Sequence, residues 1–125
     1  MLLTNRRMVS DTNRLSELSK KALPVKVSYA IAKNIGKVEA ELISYNAERK
    51  KLIDQYAIKE NNEVVVGENG QIGISKESIE AWNKDINDLL DIEVEVVIHK
   101  FSVESFGDIS MTISELMLID YMVED

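Results

Sequence analysis

Residues 24–58, PVKVSYAIAKNIGKVEAELISYNAERKKLIDQYAI, decide the fold. Ile31, Ile35, Val38, Leu42, Tyr45, Leu52 and Tyr56 follow one another at spacings of four and three, and Arg49 occupies the one slot that breaks the series. That period aligns them on one stripe of an α-helix. Pro24 suits the first turn, where its missing N–H would be unpaired in any case. At 1.5 Å per residue such a helix is about 50 Å long. One short neighbour cannot cover a stripe of that length, so it is expected to pack against several elements or against a second copy of the chain. In the second case the helix is coiled-coil-like and those seven residues are the oligomer contacts. Gly36 sits inside it at a cost of about 1 kcal/mol relative to alanine and marks a kink or a close backbone approach. Neither Glu41–Tyr45 nor Glu48–Leu52 adds an i,i+4 ion pair, so tertiary contact is expected to supply most of the stability.

On the N-terminal side, Met1–Ser10 has no clear period and reads as a loose arm or a short strand. Asp11 or Thr12 is expected to cap a helix reaching Lys21, with Leu15, Leu18 and Ala22 on one face. On the C-terminal side, Val64–Val66 and Ile72–Ile74 flank Asn69-Gly70, a pair suited to the positive φ angles of a type I′ turn, and predict a hairpin. Ser75 is expected to cap a further helix lined by Ile79, Trp82, Ile86, Leu89 and Leu90. Ile92–Phe101 then reads as a strand. Ile92, Val94, Val96 and Ile98 share one face, and Glu93, Glu95, Val97, His99 and Phe101 the other.

The end of the chain carries a clear helix start. Thr112 and Glu115 form a capping box, and Met111 with Leu116 fits a hydrophobic staple. From Ile113 to Val123 only Ser114, Glu115 and Asp120 are polar. A helix apolar almost all round is sandwiched within its own fold or docked on a partner, and burial is the favoured reading. As a docking element it would present Leu118, Ile119 and Met122 to a protein partner. The expected architecture is α+β: a helical N-terminal half with one long helix, followed by a β-hairpin, helix, strand and C-terminal helix. It is read as a single domain over 1–125.

Charge divides along the chain. The 125 residues hold 22 acidic and 15 basic side chains, a net −7. Residues 1–59 carry +6 and residues 60–125 carry −13, so a basic helical half precedes an acidic α+β half. Opposite charges of this kind can pair internally, stack head to tail, or face different partners. With no cysteine, disulfide scaffolds, thiolate metal sites and cysteine nucleophiles are excluded. No apolar run approaches the ~20 residues of a membrane span, and no secretory signal opens the chain, so a soluble cytoplasmic protein without membrane contact is expected.

The sequence carries few of the residues that catalysis needs. The glycines are too scattered for a phosphate-binding loop or a dinucleotide fingerprint. His99 is the only imidazole, which leaves no His-His metal pair and no ready base for a serine nucleophile. Asp85/Asp88 and Glu93/Glu95 have the spacing of solvated faces as much as of a cation site. No catalytic residue, metal or cofactor is therefore assigned. Arg6, Arg7, Arg14, Lys20, Lys21, Lys26, Lys33 and Lys37 could contact phosphates, but no nucleic-acid-binding motif accompanies them and the acidic half opposes a polyanion. The acidic half permits the converse: Asp85, Asp88, Asp91, Glu93 and Glu95 could occupy a nucleic-acid channel of another protein in place of phosphates.

The order of blocks resembles small proteins encoded by phages and prophages of Gram-positive bacteria. The resemblance rests on LPVKVSYAIAKNIGKVE (23–39), EAWNKDINDLLDIEVEV (80–96), His99-Lys100-Phe101 and the acidic end after Glu115-Leu116. It implies a bacterial host cell and action by binding, as an inhibitor of host machinery or defence, an assembly helper or a structural piece. The expected function is a non-catalytic interaction module that binds and modulates a host protein. A self-assembling virion factor and a nucleic-acid or small-nucleotide binder acting through the basic half are the alternatives.

Overall fold

The computed structural model describes residues 1–67 and 70–124. The architecture is α+β with a helical N-terminal half. Two compact units divide it: Met1–Leu42 with Glu93–Asp125, and Ile43–Ile92. This division does not follow the charge boundary of the sequence. The first unit carries nine basic and twelve acidic residues and the second six and ten, so the units are −3 and −4. Folding thus mixes the two halves of the sequence charge.

In the first unit, strand β1 (Leu2–Thr4) leads directly into helix α1 (Asn5–Ser19). Helix α1 begins well before the expected Asp11 or Thr12. Its cap is Thr4, whose Oγ1 accepts the Arg7 N–H at 3.1 Å. The buried stripe of α1 is Asn5, Met8, Asp11, Leu15 and Leu18, so two polar residues occupy inward positions and hide the period. Asp11 is interior to the helix and accepts from Arg7 Nε at 3.1 Å, with Arg14 Nη1 at 3.9 Å.

Helix α2 runs Val25–Tyr56, within two residues of the expected bounds, and its N-terminal part belongs to the first unit. Val27, Ala30, Ile31 and Val38 are buried there. The core joins Val27, Ala30 and Ile31 to Leu15, Leu18 and Phe101, and to Leu118, Ile119 and Met122 from the end of the chain. That burial corrects two expectations. Leu118, Ile119 and Met122 are interior and present nothing to a partner, and Ile31, Val38, Leu42 and Tyr45 are covered within the chain, which removes them as surface for a second copy. Ile35, Leu52 and Tyr56 are half-buried.

The expected strand 92–101 is two short ones. Strand β4 (Glu93–Glu95) pairs antiparallel with β1, placing Leu2 opposite Glu95 and Thr4 opposite Glu93. The Met1 ammonium extends the pair, 2.8 Å from Glu95 Oε1 and 3.0 Å from the Val96 carbonyl. Strand β5 (Phe101–Ser102) pairs parallel with β6 (Val123–Glu124). Beyond Val96 the backbone of Val97 and His99 bonds to side chains of α2 instead of a strand. Helix α4 (Ile113–Ile119) starts on the expected capping box, with Thr112 Oγ1 accepting the Glu115 N–H and Glu115 Oε1 accepting the Thr112 N–H. It is shorter than expected, passing into a 3-10 turn at Asp120–Met122 and then into β6.

In the second unit, β2 (Lys59–Glu60) and β3 (Glu63–Val64) form a hairpin whose turn is Asn61-Asn62, with φ 51° and 67°. Two successive positive φ values are the type I′ signature, and asparagine tolerates them better than most residues. The expected turn at Asn69-Gly70 lies partly outside the described residues. The expected pairing across it is present, since Val66 bridges Ile72. Ile58, Val65 and Gly73 close a ring of backbone bonds: Val65 donates to Ile58, Ile58 to Gly73, and Gly73 to Val65. Helix α3 (Ile79–Leu90) begins after a turn over Ser75–Ser78 and not at Ser75 itself. Its Trp82 meets Tyr56 edge to face, with centroids 6.5 Å apart.

Candidate functional site

The expected acidic group is divided by the fold. Asp85, Asp88 and Asp91 lie in the second unit, and Glu93 and Glu95 in the first. Tyr56 donates its hydroxyl to Asp85 Oδ2 at 2.6 Å, and that bond, then burial, holds the phenol above its ordinary range. Lys84 pairs with Asp88 at 2.8 Å, and Glu95 holds the Met1 ammonium. Asp85, Asp88 and Glu95 are thus engaged in structural contacts.

The surface of the first unit offers two other features. The first is the outer face of α4. Ile113, Leu116 and Met117 are 76%, 43% and 65% exposed, although the next two residues are in the core. Positions i, i+3 and i+4 share one face of a helix, and Asp120 continues it at i+7. The apolar character all round α4 therefore serves two purposes, a buried face that fixes the helix and an outer face left bare. Sequence reasoning chose the wrong face, because a helix without a polar side gives no phase to its period. Beside this face a groove of about 350 Å3 runs between α1 and α4, lined by Asn13, Arg14, Glu17, Ser114, Glu115 and Leu118.

Glu115 stabilises the start of α4. Its carboxylate accepts the Thr112 N–H and receives Lys21 Nζ at 3.3 Å, and these contacts, the backbone bond foremost, hold its pKa below the ordinary carboxylate range. A depressed folded-state pKa contributes stability that is complete above the unfolded value of ~4.3 and is lost as pH falls through the lower folded value. Thermal melts of the native chain and Glu115→Gln are expected to differ at pH 7 and to converge as the pH is taken below ~4.3. A difference that persists unchanged in acid would contradict this role.

The second feature is a cleft of about 390 Å3 beside α2, bordered by Val25, Lys26, Tyr29, His99, Lys100 and Ser102. It exists because α2 holds the segment after β4 by its backbone. Asn34 is fully buried, and its amide donates to the His99 carbonyl at 2.9 Å while its oxygen accepts the His99 N–H at 2.8 Å. Lys37 Nζ donates to the Val97 carbonyl at 2.5 Å. The clamp sets the His99 ring edge-on to Tyr29, centroids 5.3 Å apart. Nothing in a single sequence distinguishes Asn34 from any other polar residue off the apolar stripe.

Comparison with protein-family profiles, with curated proteins and with solved structures finds no match. Among the described residues, no helix is long and apolar enough to cross a membrane.

Proposed function

We propose that this chain is a non-catalytic, phage-encoded interaction protein that binds a host protein and inhibits it. The observation that carries the reading is the bare apolar face of α4, Ile113, Leu116 and Met117, anchored from behind by Leu118 and Ile119 in the core. Exposed side chains at i, i+3 and i+4 on a pre-formed helix are the anchors of helix-in-groove recognition. Ile113 and Met117 stand in water over most of their surface and Leu116 over nearly half of its own, and apolar patches of this kind mark interaction sites. Asp120 at i+7 and the net charge of −7 favour an apolar groove bordered by lysine or arginine. The resemblance to phage and prophage proteins supports a host target. The dispersed carboxylates give less support to mimicry of nucleic acid.

A tagged chain passed over Gram-positive bacterial lysate is expected to retain one stoichiometric protein, and the Leu116→Glu/Met117→Glu variant, folded by circular dichroism, is expected to lose it. Equal recovery by both proteins, or recovery of none, contradicts the proposal.

A further inference from the structure

Lysines on α2 form a line. Lys26, Lys33 and Lys37 fall at i, i+7 and i+11, with Tyr29 at i+3, so all four share one side of the helix. Lys33 Nζ stands 5.9 Å from the Tyr29 ring centroid, and Tyr29 remains 53% exposed. The segment clamped by Asn34 brings His99 and Lys100 alongside, although 60 and more residues of chain separate them from the lysine line. Of these lysines Lys26 and Lys100 line one cleft, while Lys33 lies further along the helix and Lys37 is bonded to the Val97 carbonyl. A second hollow of about 490 Å3 adjoins the cleft, sharing Val25, Lys26, Ser102 and Ser105 and adding Pro24 and Glu104. The parallel pairing of β5 with β6 places Glu124 opposite Ser102, so a carboxylate faces the lysines across the cleft.

Each part has a chemical counterpart. Lys26, Lys100 and the Ser102 hydroxyl suit a phosphate. An exposed tyrosine beside an imidazole offers a stacking surface for a planar ring. Glu124 would repel a bare inorganic dianion and accept hydrogen bonds from sugar hydroxyls or a ring amine. A volume of about 390 Å3 is in the range of small-molecule sites, ~300–1,000 Å3, and well short of a polymer track. We infer that this cleft binds a nucleoside monophosphate, its phosphate on Lys26 and Lys100 and its base on Tyr29. The site is distinct from the outer face of α4, so it stands or falls separately from the docking proposed above.

The test is a ¹⁵N-HSQC titration of the full chain with AMP, GMP, CMP and UMP, and in parallel with adenosine, inorganic phosphate and a single-stranded hexanucleotide. At least one monophosphate is expected to bind with Kd of about 1 mM or tighter, moving amides in Val25–Tyr29 and His99–Ser105. Adenosine and phosphate are expected to bind about tenfold more weakly or not at all, and Lys26→Glu/Lys100→Glu to weaken the monophosphate about tenfold with an unchanged melting temperature. Both lysines are exposed, so that variant keeps its fold. Inorganic phosphate binding as well as a monophosphate overturns the inference in favour of a plain anion patch. Tighter binding of the hexanucleotide overturns it in favour of a nucleic-acid surface. Absence of any localised shift, or full binding by the double variant, overturns it outright.

Discussion

Ile119→Ala is expected to destabilise the chain by about 2–5 kcal/mol, whereas Met117→Ala, two residues earlier on the same helix, is expected to change stability by less than ~0.5 kcal/mol. Ile119 is fully buried in the cluster that joins α1, α2 and the end of the chain. Truncating it removes apolar contact and leaves a cavity among Leu15, Leu18, Ile31 and Phe101, which are held from several directions and cannot all collapse inward. Met117 touches water over most of its surface, so its loss leaves the core intact. Urea denaturation followed by circular dichroism measures both. Similar midpoint shifts for the two variants would show that α4 is seated on the other face, and would remove the basis for the docking proposal.

The second large effect is expected at Asn34. Replacement by leucine, close in volume, leaves the His99 N–H and carbonyl without their partners beside an apolar side chain. Unmade bonds of this kind cost about 1–3 kcal/mol each, so a loss of about 2–4 kcal/mol is expected. Asn34→Asp separates the two bonds. An ionised carboxylate still accepts the His99 N–H but meets the carbonyl oxygen with negative charge, and burial raises its pKa further. Once protonated it donates to that carbonyl and restores both bonds. With the folded-state pKa raised, its contribution is present below the unfolded value of ~3.9 and is lost as pH rises through the folded value. Asn34→Asp is therefore expected to approach the native melting temperature in acid and to fall away towards neutrality. Asn34→Leu should show no such pH dependence relative to the native chain. Parallel pH profiles for the two variants would contradict the clamp.

The long helix was legible because its apolar residues keep a regular phase over many turns, and tertiary context had only to cover them. The capping box at Thr112 and Glu115 was legible because it is local chemistry. Helix α1 was obscured where Asn5 and Asp11 take inward positions that an apolar count treats as outward. The pairing expected across Asn69-Gly70 is present in the Val66–Ile72 bridge, whereas the hairpin at Asn61-Asn62 was missed because only two residues pair on each side of it, too few to show an alternating pattern. The segment 92–101 alternates as a strand does, but Lys37 and Asn34 take the backbone bonds that a neighbouring strand would have made. Both candidate surfaces depend on such long-range choices. The bare face of α4 depends on which side of a uniformly apolar helix is covered, and the cleft on a clamp between residues 34 and 99.

Affinity for the recovered host protein is the most direct test of the docking face. It should be measured for the native chain, for Met117→Glu and for Ile43→Glu, an equally exposed apolar position on α2. A helix docked through its outer face predicts a loss of about tenfold or more for Met117→Glu and native affinity for Ile43→Glu. Native affinity for Met117→Glu together with a loss at Ile43 would place the partner elsewhere and contradict the account.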